Sequence, residues 1–394
     1  MIDLPSSSSS SDTDGPAGRR PGGASRWIGP LLALGTLVVM FVAVEVGLRG
    51  VLDAELQAML PHFGMAEDLQ SRLAWVDWQE QRDKYGTTSY PSSFDRPDAE
   101  LGWRIQPNVA VTHVKPGAYE VAVHTNNAGM RGTEPVSRTK AASTTRIGVF
   151  GCSQTFGETV NDDETYVARL ADTLPDAELL NFGVRGYGTD QMLLYHQQEA
   201  AGYDLDVVVL AFAFYHMKRN ATGFLFYAKP YFELTGDELV LAGVPVPTPE
   251  QLKSEDFSRY TWKLADHSVA LRWFWAKARS LRTRGLYSEN GPAWQLSRAL
   301  IGRFVESARA DGSHVVLMNI DESRPELEGD LAGLAEELSV GLVDLGPTLR
   351  AAGVDGVNYT LPADNHWNPT GHELVAAELA RHLCATGLVA DCDR

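Results

Sequence analysis

Apolar spacing changes along the chain, and each change marks a different element. Residues 1–26 hold the run Ser6 to Ser11, then Pro and Gly, and almost nothing apolar. Such a segment cannot bury enough surface to offset its ordering entropy, so a disordered tail is expected. From Trp27 to Val44 eighteen consecutive residues (WIGPLLALGTLVVMFVAV) carry no charge, and the apolar character runs on to Leu48. At about 1.5 Å per residue, 27–48 is long enough to cross a hydrocarbon core as one helix. A cleaved secretory signal would have a shorter apolar stretch with a small-x-small site after it. The chain instead continues EVGLRG, which favours an uncleaved anchor. In 50–95, Leu56, Met59, Leu60, Leu69, Leu73, Trp75 and Trp78 recur at helical intervals and predict a helical stalk. A β-rich extension over 96–140 follows. In it VAVTHV (109–114) and YEVAVHT (119–125) alternate about a KPG turn, and NNAGMRG closes it.

From residue 145 strand and helix alternate. Short apolar runs at 146–150, 178–182, 206–212, 314–320 and 341–345 read as strands, and 163–174, 189–201, 294–311, 326–338 and 369–385 as amphipathic helices. This rhythm predicts an α/β domain over 145–394, with a parallel sheet between two helical layers. Ligands in such sheets bind beyond the carboxyl ends of the strands. Residues 221–290 break the rhythm with aromatic and Pro-rich segments and are expected to form an inserted cap or lid. Their basic, aromatic stretch SVALRWFWAKARSLRTRG reads either as a membrane-surface or partner face or as a partly buried helix.

Charge gives the chain a direction. Arg19, Arg20 and Arg26 precede the apolar span and Arg49 alone follows it closely. The positive-inside rule then places the tail in the cytoplasm and the rest outside, in the periplasm or beyond. Glu45, four residues before Arg49, is spaced for an ion pair near the end of the span. The formal charge is −17, and the tail and anchor cancel internally (Asp3, Asp12 and Asp14 against the three Arg, Glu45 against Arg49), so the excess belongs to the external region. An acidic domain is a poor partner for nucleic acid, and it favours a neutral or acyl-masked sugar over a bare polyanion. Three cysteines exclude a disulfide-dense scaffold, while Cys384 and Cys392 could pair in an oxidising compartment. No compact His, Cys or carboxylate spacing suggests a metal, and no phosphate-binding loop suggests a nucleotide, so no cofactor is expected.

Two short motifs carry chemistry. The first strand runs into Gly151-Cys152-Ser153-Gln154-Thr155-Phe156-Gly157, placing a Ser in a Gly-flanked turn beside free backbone N–H groups. Asp364-Asn365-His366-Trp367-Asn368-Pro369 precedes the last helix, with Asn368 and Pro369 suited to N-cap and N1. In an extended segment Asp364 and His366 face the same way, so the carboxylate can hold one ring nitrogen and leave the other for Ser153. Capping or solvating a loop is the plainer role for that pair.

Together these blocks resemble the SGNH/GDSL hydrolase superfamily over roughly 145–385. Gly151-Cys152-Ser153 stands where that family has G-D-S, and Asn181 and Gly186 match its second block. The last block is D-x-H-W rather than D-x-x-H, similar to the alginate and peptidoglycan O-acetyltransferase-type branch. The anchor, the sequence at its end and GWRIQPN at 102–108 also resemble membrane-tethered bacterial members. The resemblance implies a flavodoxin-like three-layer α/β/α fold. It makes Ser153 the nucleophile, His366 the general base and Asp364 its orienter, with the backbone N–H groups of Ser153 and Gly186 as the oxyanion hole. Two positions depart from the family. Cys152 replaces the Asp before the Ser, as a buried thiol or a reactive one. Tyr215 stands where the family has an Asn oxyanion donor, followed by His216. Tyr215, His216 and Trp367 are thereby candidates to line the substrate cleft. The expected activity is a serine esterase or O-acyltransferase at a bacterial inner membrane, acting on acylated envelope carbohydrate, with a membrane-bound acyl donor protein as a further partner in the transferase case. The competing class is a weak or inactive carbohydrate-binding subunit of a polysaccharide-modifying complex.

Overall fold

The computed structural model describes residues 25–52, 57, 60, 94–115, 117–225, 227–248, 251–252, 265, 267–283, 285–362 and 364–390. Nearly all of the expected tail and stalk, and Cys392 of the expected Cys384–Cys392 pair, lie outside these residues. The chain forms two compact units, one of residues 1–63 with 262–276, the other of 64–261 with 277–394.

In the first unit α1 spans Ser25–Val51, and its Trp27–Val51 stretch is long and apolar enough to cross a membrane. Near its end Glu45 pairs with Arg49 at 2.6 Å, the spacing expected for i,i+4 neighbours. The same carboxylate accepts hydrogen bonds from Ser268 Oγ (2.8 Å), Val269 N (3.1 Å) and Ala270 N (2.8 Å). It thus satisfies N–H groups that a helix start leaves without partners.

The second unit opens with two antiparallel hairpins, β1 (Asp95–Asp98) with β2 (Gly102–Ile105), and β3 (Ala110–Lys115) with β4 (Tyr119–His124). The expected extension is therefore present as paired strands. Next come β5 (Thr145–Gly151), α2 (Ser153–Phe156), α3 (Tyr166–Thr173), β6 (Ala177–Gly183), α4 (Thr189–Gln198), β7 (Val207–Phe212) and α5 (His216–Asn220). An antiparallel pair, β8 (Tyr231–Thr235) with β9 (Glu238–Ala242), lies in the insertion, followed by α6 (Val269–Thr283). The chain then runs through α7 (Pro292–Ala310), β10 (His314–Asn319), α8 (Pro325–Glu337), β11 (Gly341–Asp344) and α9 (Gly346–Val354). It ends in β12 (Thr360–Leu361), β13 (Asp364–Trp367) and α10 (Pro369–Ala385).

β6, β5, β7, β10 and β11 form one five-stranded parallel sheet in that order. Every residue of β7 is buried, as expected of a strand covered on both faces. Helices flank the sheet in two sets, α3 against α10 and α4 against α7, and the expected three-layer α/β architecture is present. All five predicted strands and helices appear, with ends shifted by a few residues. The predicted 163–174 helix is divided into a 3-10 turn at Asp162–Glu164 and α3, which Thr165 caps by accepting from Ala168 N. Because β5 lies between β6 and β7, the chain reverses its progress across the sheet there, and a crevice opens beyond the ends of β5 and β7.

Candidate active site

Ser153 stands in that crevice because two glycines allow it. A Cβ on Gly151 would lie 1.9 Å from Thr155 Oγ1, and one on Gly183 would lie 2.4 Å from Phe156 N. Only bare backbone at the paired ends of β5 and β6 lets α2 sit down on them. Gly157, at φ 75°, then turns the chain out of α2. Asn181 holds the same corner, donating to Thr155 O (2.8 Å) and accepting from Gly183 N (2.9 Å). Its part here is to shape the nucleophile turn.

The last loop reaches Ser153 as a strand. β13 pairs with β12 through Thr360↔Trp367 and Leu361↔Asp364, the register shifting between the two pairs, and across that shift Asp364 and His366 meet through their side chains. Gln154 ties this strand to the nucleophile by accepting from Trp367 N (3.1 Å), and Thr159 Oγ1 donates to Trp367 O (2.8 Å). His366 Nε2 lies 2.7 Å from Ser153 Oγ, and His366 Nδ1 is hydrogen-bonded to Asp364 Oδ1. An ionised carboxylate can only accept, so Nδ1 carries the ring proton and Nε2 is the acceptor facing Ser153. Burial disfavours the Asp364 anion. Hydrogen bonds from His366 and Lys115 outweigh burial and hold the carboxyl well below the usual range.

Lys115, at the tip of β3, lies 2.5 Å from Asp364 Oδ2. Two positions back on β3, His113 Nε2 is 2.9 Å from Tyr119 Oη and 3.6 Å from Glu158 Oε1. Glu158 is buried, accepts from Arg185 Nη2 at 2.8 Å, and brings Oε2 to 4.0 Å from His366 Nε2. One face of the hairpin therefore meets both carboxylates beside the imidazole. Sequence reasoning missed this, since nothing in the alternation of β3 and β4 says which loop the face will meet. It also missed Arg131 of NNAGMRG. That buried guanidinium pairs with Asp162 at 2.5 Å and donates to Gly157 O (2.8 Å), Val160 O (2.8 Å) and Ala122 O (2.9 Å), fixing the chain that leaves α2. A lone Arg among small turn residues was the available signal.

Ser153 and His366 open on a cavity of about 580 Å³, also lined by Lys115, Tyr215, Arg219 and Pro362, a size suited to a small ligand. Tyr215 is 37 % exposed and turns its hydroxyl onto Cys152 Sγ at 3.1 Å, while Arg219 stacks on its ring at 4.7 Å. Cys152 is fully buried, which fits the inert thiol rather than the reactive one. His216 and Trp367 do not line the cavity as expected. His216 is 0 % exposed, with Nδ1 accepting from Ala213 N, and its position after β7 turns it into the core. Trp367 is 3 % exposed and packs on Tyr166 and His372, because strand alternation sends it to the face opposite His366. Among the described residues no member of 221–290 lines the cavity, and the hairpin's Lys115 takes that place. Gly186 lies in the turn Val184–Tyr187 after β6, at φ 76°, the turn closed by Tyr187 N donating to Val184 O. Trp103 of GWRIQPN clamps that turn by donating through Nε1 to Arg185 O (2.9 Å) and accepting from Tyr187 Oη at its own carbonyl. Among the described residues no cluster of metal-ligating side chains occurs.

No family model matches the chain, and no curated protein matches it. Similar solved structures do exist. A lipolytic protein of the G-D-S-L family from Veillonella parvula DSM 2008 is 15 % identical, covering 60 % of this chain and 97 % of its own at a TM-score of 0.36. A catalytic mutant of an acetylxylan esterase from Geobacillus stearothermophilus is 13 % identical, covering 62 % of this chain and 96 % of its own at 0.36. The acetyl xylan esterase AlAXEase is 15 % identical, covering 59 % and 97 % at 0.35.

Proposed function

We propose that the chain is an SGNH/GDSL-type serine esterase or O-acyltransferase. It is held at a bacterial plasma membrane by α1, with its second unit on the outer side, and acts on acyl groups, chiefly acetyl, esterified to envelope carbohydrate. The observation that carries this reading is the unbroken line of hydrogen bonds from Asp364 through His366 to Ser153 Oγ. Ser153 Oγ attacks the acyl carbonyl as its proton passes to His366 Nε2, and Asp364 stabilises the imidazolium. The backbone N–H groups of Ser153 and Gly186 receive the oxyanion. The proton then goes from Nε2 to the departing group, the sugar oxygen in hydrolysis or the acyl donor's leaving atom in transfer, which leaves an acyl-Ser153. Water completes a hydrolysis, a sugar hydroxyl a transfer, and in the transfer case a membrane-bound protein supplies the acyl group. Among the described residues the charged side chains lining the cavity are Lys115, Arg219 and Asp364, so the acidity of the whole domain does not extend into it, and the preference for a neutral sugar loses its main support.

A second reading, a carbohydrate-binding subunit without turnover, draws on Tyr215, whose hydroxyl faces Cys152 where the family has an Asn donor. Treating the detergent-solubilised full chain with a fluorophosphonate separates the two. The enzyme labels, loses the label in Ser153→Ala, and turns over an aryl acetate. A chain that neither labels nor turns over is the binding subunit. Faster decay of the acyl-enzyme on adding sugar acceptors marks the transferase; indifference to them marks the hydrolase.

A further inference from the structure

The proton line from Asp364 to Ser153 leaves one buried charge beside it unexplained. Glu158 is 5 % exposed and belongs to the nucleophile's own segment, its backbone N donating to Ser153 O at 3.1 Å. Its Oε2 lies 4.0 Å from His366 Nε2, on the edge of the ring that Asp364 does not touch. We propose that Glu158 is a positioning residue, a second anion that favours the imidazolium formed when Ser153 gives up its proton. The proposal rests on the serine-acylation reading above.

The surroundings of Glu158 are arranged to keep it an anion. Burial opposes the charge, and Arg185 together with the nearby His113 outweighs burial, so the carboxyl stays well below its usual range. Glu158 therefore takes no proton in the reaction. The Ser153 proton moves to Nε2 and from there to the departing oxygen. Arg185 does not cancel the charge, because its other arm is paired with the buried Asp95 at 3.0 Å. Its charge is thus shared between two carboxylates. At about 4 Å, a unit charge on a buried carboxylate attracts the positive charge that forms on the ring.

Other charged or titratable groups face His366 from each side. Asp364 lies on its own strand with Lys115 from β3 upon it. Ser153 approaches from α2, Tyr215 and Arg219 line the shared cavity from α5 and the residue before it, and His372 of α10 is close enough to interact electrostatically. Of the two anions, Asp364 is already engaged at Oδ2 by Lys115, whereas Glu158 turns Oε2 toward the ring and uses Oε1 for Arg185.

Glu158→Gln keeps the shape and an acceptor for Arg185 but removes the charge. In the full chain in detergent micelles, three quantities are compared with the wild type. These are the fluorophosphonate labelling rate, the pH profile of kcat/KM on an aryl acetate, and the His366 titration midpoint by NMR of ¹³C-labelled imidazoles. The variant is expected to label at Ser153 about tenfold more slowly. Its midpoint and the acid limb of its profile are expected to fall together by about one pH unit, the same free energy as the tenfold change. Glu158→Asp, which keeps the charge, should lie nearer the wild type on all three and serves if the Gln variant does not fold. A slower rate with an unmoved midpoint is a purely structural role and overturns the proposal, as does no change at all. A wild type that never labels overturns the serine-acylation reading. The midpoint, read without turnover, reports separately whether Glu158 and His366 are coupled.

Discussion

Lys115 and Asp364 stand 249 positions apart in the chain, yet the ammonium of one is 2.5 Å from the carboxylate oxygen that the other turns away from His366. The cation draws on the same negative charge that steadies the imidazole. Removing it in Lys115→Met should let Asp364 favour the protonated ring more strongly and move the acid limb of kcat/KM to higher pH. Because Lys115 is 49 % exposed and screened by water, the expected move is under one unit. A limb that moves to lower pH contradicts the arrangement.

Asp364→Asn keeps the loop but takes away the anion that selects the ring tautomer. A loss of about 10⁴ in kcat is expected for a working triad, measured on an aryl acetate with thermal unfolding as the check on folding. A loss within tenfold would show that Asp364 merely shapes the loop.

Tyr215→Phe distinguishes two uses of the ring. If the hydroxyl is the missing oxyanion donor, its removal costs about 100- to 1000-fold in kcat. The hydroxyl instead meets Cys152 Sγ, so a change of under about threefold is expected.

Arg131→Ala leaves Asp162 and several loop carbonyls without their buried donor. Breaking such a buried pair typically costs about 3–5 kcal/mol. Unfolding of the full chain in denaturant should show a loss of that order, with kcat reduced because the segment after α2 loosens. Stability within 1 kcal/mol of the wild type would show that the loop holds itself.

The sheet and the Ser–His–Asp set were legible because each depends on local pattern. β7 is an unbroken apolar run, and Asp364 and His366 need only an extended backbone to meet. What could not be read was set by contacts distant in sequence. The roles of Lys115, His113 and Tyr119 depend on where a hairpin lands. Trp367 and His216 follow functional loops in sequence but turn into the core in space. Helix α9 went unforeseen because GPTLRAAGV offers two buried residues and no long amphipathic stripe.

His372 is buried on α10, its Nδ1 accepting from Tyr166 N at 3.1 Å. Burial, then Arg131, lowers its pKa from the ordinary 6.5 to about 3. The unfolded chain takes up the proton first, so this residue's contribution to stability is complete above pH 6.5 and drains away as pH falls toward 3. The slope from this one group is at most about 1.4 kcal/mol per unit. His372→Gln should flatten the unfolding midpoint against pH between those limits. An unchanged slope would place the acid sensitivity elsewhere.

The extended form of Asp364–Trp367 also bears on how such a site changes over descent. Along a paired strand, one inserted residue does not lengthen the spacing smoothly; it exchanges the two faces. A single insertion between Asp364 and His366 would bury the imidazole where Trp367 now packs and turn the indole toward Ser153. Passage between a two-residue and a three-residue spacing therefore requires the strand to unpair, to take the extra residue into a bulge, or to exchange Trp367 at the same time.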